Sequence, residues 1–199
     1  MHIAITGTIG SGKSTVSALL KELGYPVFDA DLWAKSHYAD TAVQEALIER
    51  FGESIYVDGV LDTVALATII FSPDGEADRR YVEGLIHPLV YADLMRLARE
   101  AGAPIVFSEV PLLFETHGEE HFDRVLLVTC DESIAQHRLI QQRQMTPERI
   151  ALRRIHQLDE GYKRAHADDI IENNGDRTTL MRQVATYSDK IKAIHAQNP

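Results

Sequence analysis

The chain has 199 residues, 45% of them hydrophobic, and a formal net charge of -10. That size and apolar share suffice for one packed α/β core without covalent staples. The acidic balance argues against a nucleic-acid-binding face, which would be basic; the single cysteine, Cys130, excludes an intramolecular disulfide; and no apolar run approaches the roughly 20 residues that span a bilayer.

The first element in the chain is His2-Ile3-Ala4-Ile5-Thr6, a short apolar run that reads as a buried strand. It opens directly at the N-terminus with no signal peptide ahead of it, so a soluble cytosolic protein is expected. Next comes Gly7-Thr8-Ile9-Gly10-Ser11-Gly12-Lys13-Ser14-Thr15, which fits G-x-x-x-x-G-K-[ST], the phosphate-binding P-loop. Val16, Leu19, Leu20 and Leu23 follow at i, i+3, i+4 and i+7, one face of a helix that Gly24 stops. The order has a physical logic. Glycines let successive N–H groups turn inward toward phosphate oxygens, and the helix N-terminus adds partial positive charge. Lys13 is expected on the β- and γ-phosphates, with its side chain facing solvent when no nucleotide is bound. The Ser14 hydroxyl is expected on Mg²⁺.

Tyr25-Pro26-Val27-Phe28 reads as a second strand that delivers Asp29-Ala30-Asp31 at its carboxyl end, the edge where ligands bind in doubly wound sheets. From Leu32 to Ala101 the strand rhythm stops. Three helical patterns fill the stretch: 43–51, 64–70 and 86–97, with Pro88 at the first turn of the third. About seventy residues without a sheet strand exceed one crossover. We therefore read residues 32–100 as an inserted helical substrate-binding subdomain that includes the return helix to the sheet.

Strands resume at 104–110 and 123–129, nearly continuous in apolarity, as central parallel strands are. The acidic loop between them, with His117, Glu119, Glu120 and His121, reads as solvated rather than metal-binding. Cys130 ends an apolar run and reads as a buried thiol. Residues 136–164 carry seven positive side chains against three negative, an inversion of the overall charge. Thr146-Pro147 reads as a cap and first helical residue, so two helices should meet near Met145. This window is either an exposed helical surface laced with ion pairs or a mobile lid bringing arginines onto a triphosphate. A last short strand at 168–173 and an amphipathic helix at 178–195 close the chain.

The expected fold is thus α/β, a P-loop kinase-like doubly wound parallel five-stranded sheet forming one domain over 1–199, with the helical insertion and an arginine-rich lid at 136–164. No D-x-x-G or N-K-x-D guanine-reading motif and no ABC-type signature occurs. A small kinase remains. Several stretches then resemble the dephospho-CoA kinase family: the P-loop itself, Phe28-Asp29-Ala30-Asp31, Ile86-His87-Pro88-Leu89, Val110-Pro111-Leu112-Leu113-Phe114-Glu115, Lys163-Arg164-Ala165, and Ile171-Glu172-Asn173-Asn174-Gly175. The resemblance implies transfer of the ATP γ-phosphoryl group to the ribose 3′-hydroxyl of dephospho-CoA, giving coenzyme A and ADP, with Mg²⁺. It implies that Gly10, Ser11, Gly12, Lys13, Ser14 and Thr15 hold ATP phosphates and that Asp31 is the base on the acceptor hydroxyl. It further implies that His87 and Glu115 lie near the acceptor, and that Arg138 and Arg143 are lid arginines. The sequence departs from the family pattern at Thr8, at Glu109 where an aspartate is common, and in the lid run Arg153-Arg154-Ile155-His156-Gln157. Partners are expected to be small molecules, on a monomer or weak oligomer, without nucleic acid or membrane. Another nucleoside or nucleotide kinase, and a non-catalytic ATP-dependent regulator, are the competing readings.

Overall fold

A computed structural model describes residues 1–72 and 74–197. In chain order the elements begin with β1 (His2–Thr6), α1 (Lys13–Glu22), β2 (Val27–Asp29), α2 (Ala30–His37) and α3 (Thr41–Phe51). They continue with β3 (Tyr56–Val57), β4 (Val60–Leu61), α4 (Thr63–Ile70), α5 (Glu76–Glu100), β5 (Val106–Glu109) and β6 (Arg124–Thr129). The last are α6 (Glu132–Arg143), α7 (Pro147–Arg154), α8 (Glu160–His166), β7 (Asp169–Glu172) and α9 (Arg177–Gln197). The chain divides into two compact units, 1–29 with 95–199, and 30–94. Among the described residues no helix is long and apolar enough to cross a membrane.

In the first unit five strands form a parallel sheet in the order β2-β5-β1-β6-β7. Every residue of β1 is buried, as a strand covered on both faces requires. One core joins Ile3, Ile5, Phe107, Leu126 and Val128 of the sheet to Val16, Leu19 and Leu20 of α1 and Leu180, Val184 and Ile191 of α9. Each such fully buried aliphatic side chain contributes about 1.5–3 kcal/mol. α1 ends as Gly24 allows. At φ 89° Gly24 donates to Lys21 O at 2.9 Å and Tyr25 to Leu20 O at 3.1 Å, a Schellman closure. Leu23 falls at the cap of that turn and is half exposed, so it leaves the apolar face expected of it.

The second unit departs from the sequence reading in two places. The strand rhythm does not stop completely, because β3 and β4 pair as an antiparallel hairpin. Asp58 and Gly59 make its turn at φ 51° and 76°, the positive values a two-residue hairpin loop needs. Pro88 also starts no helix; it lies inside the 25-residue α5. A helical proline forfeits its own hydrogen bond and crowds the carbonyl four residues back. Here that residue is the exposed Gly84, with open space about it, and buried Val82, Ile86, Val90 and Leu94 carry the helix through. α4 begins at Asp62, whose carboxylate accepts from Val64 N and Ala65 N, both at 3.0 Å. His37 is bracketed by Asp40 at 2.6 Å and Asp93 at 2.9 Å.

His2 stands at the amino end of β1, only 8% exposed. Its Nε2 meets Ser108 Oγ at 2.8 Å, and Phe122 packs edge-on at 4.7 Å. Burial pushes the imidazole down to about 4, against the opposing pull of Asp123. The fold therefore favours neutral His2. Its stabilisation is complete above the free-histidine value near 6.5 and is lost as pH falls from there toward 4. Replacing His2 by Gln should flatten the pH dependence of urea stability between pH 6.5 and 4.5 relative to wild type. Identical slopes for the two proteins would show that His2 does not titrate in this way.

Candidate active site

The site grows from the turn between β1 and α1. Gly7 passes so close to β6 that a Cβ there would lie 2.0 Å from Val128 O. Gly12 caps α1 at φ 97°, and a Cβ on it would lie 2.2 Å from Asn173 Nδ2. Only glycine fits either position. Asn173, just past β7, donates that Nδ2 to Ser11 O at 2.8 Å, and Ser11 N donates to Thr8 O at 3.2 Å. The cap glycine brings no side chain to the helix end, which leaves the start of α1 open to an anion. Ser14 is exposed there and Thr15 half-buried.

Lys13 does not face solvent. It is 9% exposed, and its ammonium donates to Gly7 O at 2.8 Å and Thr8 O at 3.2 Å. The flexible four-carbon stem lets the ammonium turn back onto these two carbonyls, which replace part of its hydration.

A cleft of about 300 Å³ opens over this loop, lined by Gly10, Gly12, Ser14, Thr15, Arg138, Arg143, Asn173 and Arg177 among others. Arg138, from α6, donates through Nη2 to Asn173 O at 2.9 Å; its Nη1 is buried without a hydrogen bond of normal geometry. Arg143 is exposed at the end of α6. Arg177, at the start of α9, also lines the cleft and pairs with Glu22 at 3.3 Å. Asn173 lies in a family-like stretch of the sequence that carries no site role by itself, and Arg177 has no motif. The signal was their position just past the last strand, on the ligand-binding edge of the sheet.

Two acidic residues are neighbours at the carboxyl edge of the sheet. Asp29 is in register with Glu109, which is in register with Ile5. Glu109 Oε2 accepts from Ser17 Oγ at 2.7 Å. Among the described residues no cluster of three or more His, Cys, Asp or Glu could hold a metal by itself. The donors present are hard oxygens: the Ser14 hydroxyl and these carboxylates. That set fits a magnesium ion that arrives with phosphates and keeps several waters.

Asp31 is the second residue of α2 and is exposed, which leaves Asp29 as the residue preceding that helix. His87 is half-buried in α5; burial lowers its imidazole below the usual value, partly opposed by Glu83. Both Asp31 and His87 belong to the 30–94 unit. Glu115 belongs to the P-loop unit, where its Oε1 meets the fully buried Lys163 ammonium at 2.7 Å and accepts from Leu158 N at 2.8 Å.

The arginine-rich window holds parts of three helices rather than two. α6 and α7 meet near Met145 as expected, with Gln144 at φ 51° ending α6 and the Thr146 hydroxyl capping α7. The third, α8, is tied to the sheet. Glu160 accepts from Thr129 Oγ1, Arg164 bonds Glu160 at 2.9 Å and Glu172 at 3.0 Å, and Lys163 reaches Glu115. Ile9 of the P-loop packs with Leu139 of α6 and Ile150 of α7.

A sequence profile of the dephospho-CoA kinase family matches residues 1–179. The dephospho-CoA kinase of Rhizobium meliloti is 34% identical over 195 residues, 96% of this chain and 98% of the relative. That of Symbiobacterium thermophilum is 38% identical over 192 residues, 92% of this chain and 79% of the relative. Among solved structures, a Thermus thermophilus protein with 36% identity matches 100% of this chain and 98% of its own at a TM-score of 0.82. A shikimate kinase from Acinetobacter baumannii, 18% identical at a TM-score of 0.55 over 96% of this chain and 93% of its own, shares the fold alone. With a profile match over residues 1–179 and relatives above 30% identity, the chain belongs to the dephospho-CoA kinase family.

Proposed function

We propose that the protein transfers the γ-phosphoryl group of ATP to the ribose 3′-hydroxyl of dephospho-CoA, releasing coenzyme A and ADP. The observation that carries this reading is the glycine-shaped loop at the start of α1, which lines a cleft together with Arg138 and Arg143 and holds the Lys13 ammonium beneath it on the Gly7 and Thr8 carbonyls, in a chain of this family. Phosphoryl transfer asks the protein for positioning and charge stabilisation more than for covalent chemistry. The amides from Gly10 to Thr15 hold the phosphates. The Lys13 ammonium has three donors, so it can keep a loop carbonyl while it binds a phosphate oxygen. Arg138 and Arg143 add positive charge opposite the loop, where each well-aimed donor at a transition state is worth about 10²–10³ in rate. Mg²⁺ supplies charge neutralisation on the nucleotide phosphates when bound; Ser14 would ligate it, with Glu109 holding one of its waters.

On the acceptor side, Asp31 orients the hydroxyl and takes its proton late in transfer, because an alcohol is too weak an acid to lose it early. What supports Asp31 is its place in the chain two residues after Asp29, the last residue of β2. His87, held neutral by burial, serves the acceptor as a hydrogen-bonding group rather than a cation. Glu115 serves it indirectly, by fixing α8 through Lys163. ATP and the acceptor are small soluble anions, which suits a cytosolic enzyme.

Steady-state kinetics with a panel of acceptors tests the assignment. Dephospho-CoA should be phosphorylated, with AMP, UMP and adenosine far poorer; a comparable kcat/KM for any nucleoside monophosphate would overturn it. The carboxylate roles are separable in the same assay. Asp31→Asn should keep ATP affinity and melting temperature, since an exposed first-turn carboxylate adds only about 0.3–1 kcal/mol to a helix, yet lose roughly 10²–10⁴ in kcat. Asp29→Asn should lose less activity and more stability. The reverse ranking would make Asp29 the base.

A further inference from the structure

Ile9 of the phosphate-binding loop meets the arginine-rich window twice. The Ile9 side chain lies in the cluster with Leu139 and Ile150, and partly buried Ile140 and Met145 close around it. Its backbone N–H donates to Gln157 Oε1 at 2.9 Å, a partner 148 positions away in the sequence. That N–H belongs to the same peptide group as the Thr8 carbonyl. The carbonyl accepts from Ser11 N at 3.2 Å and from Lys13 Nζ at 3.2 Å. One rigid peptide plane is therefore gripped on its oxygen side by the loop and by Lys13, and on its nitrogen side by Gln157.

Gln157 is itself held. Its own N–H donates to Arg154 O at 2.9 Å in the turn that ends α7. The next residue, Leu158, donates to Glu115 Oε1 at 2.8 Å, and the same oxygen meets Lys163 of α8 at 2.7 Å. A chain of contacts thus runs from the loop after β5 through Glu115 and Leu158 to Gln157 and the P-loop. α8 sits on the anchored side of this point. α7 sits on the other side, with Leu152 and Ile155 mostly exposed and Ile150 its buried residue.

We infer that Gln157 is a positioning residue for phosphoryl transfer: by holding the Ile9 N–H it fixes the Thr8–Ile9 peptide plane, and so sets the Lys13 ammonium and the amides that follow it before nucleotide binds. It acts through the loop. The inference deepens the proposed kinase activity and rests on it, but its signature lies in nucleotide binding. Without the Gln157 oxygen, the Ile9 N–H is a partly buried donor that turns to find another partner, and the carbonyl on the far side of the plane turns with it.

Two variants test this. Gln157→Leu keeps bulk and removes the acceptor; Gln157→Glu keeps an oxygen at the same reach. In the free protein, hydrogen exchange of the loop amides around Ile9 should speed up in Gln157→Leu and stay at the wild-type rate in Gln157→Glu. Gln157→Leu should bind a non-hydrolysable ATP analogue about fivefold to tenfold more weakly, the size of one lost hydrogen bond. Its KM for ATP should rise by the same factor, with KM for the acceptor unchanged. Unchanged exchange and affinity in Gln157→Leu would overturn the inference. So would equally fast exchange in both variants with parallel drops in melting temperature, which would mark Gln157 as packing alone. Exchange and analogue binding need no acceptor, so these outcomes stand apart from any failure of dephospho-CoA as substrate.

Discussion

A loop that offers a row of N–H groups to an anion cannot satisfy those groups within itself. Its shape must be imposed from outside, and the rest of this unit does that work at three points. Asn173 holds Ser11 O from beyond β7. Lys13 gathers the Gly7 and Thr8 carbonyls from within α1. Gln157 takes the Ile9 N–H from the turn between α7 and α8. Each contact comes from a different part of the chain, so the phosphate site exists only when the sheet, the first helix and the helical window are all assembled. The 2.2 Å gap between Asn173 and a hypothetical Cβ at Gly12 measures how closely the last strand's loop presses on it.

The same constraint explains where rigidity is placed. α8 is bound to the sheet by the Glu160–Thr129 contact and the Arg164–Glu172 pair, and to the loop after β5 by the buried Lys163–Glu115 pair. A buried pair adds little net stability over an apolar one of the same shape, yet removing one partner costs about 3–5 kcal/mol. Its value here is location. It fixes the backbone at Leu158 and with it the reach of Gln157. α7, by contrast, is anchored by Ile150, a threonine cap and its ion pair from Arg154 to Glu132.

The P-loop and the parallel strands were legible because each has a local signature. Continuous apolarity marks strands buried on both faces, and the glycine-lysine spacing states its own chemistry. The hairpin at Asp58-Gly59 was also written plainly, since that dipeptide is a hairpin turn signal, but its strands are two residues each and fall below any periodicity test. Pro88 misled because local propensity places proline at a helix start, whereas buried Ile86 and Val90 carry the helix across it. Lys13's burial, Glu115's pairing with Lys163 and Gln157's hold on Ile9 depend on partners 48 to 148 positions apart or on loop carbonyls whose direction only the folded turn sets. No pattern within a window could reveal them. Arg177 and Asn173 lay on the correct edge of the sheet and were within reach of topology alone.

The central claim is that this loop and its arginines serve transfer of one phosphoryl group to a CoA precursor. Mass spectrometry of dephospho-CoA incubated with ATP, Mg²⁺ and the protein addresses it most directly. The account predicts a product heavier by one phosphoryl group, with fragmentation placing it on the ribose 3′-oxygen and ADP formed in equal amount. ATP bound but every acceptor returned unmodified, or a phosphoryl group found elsewhere on the molecule, would contradict it.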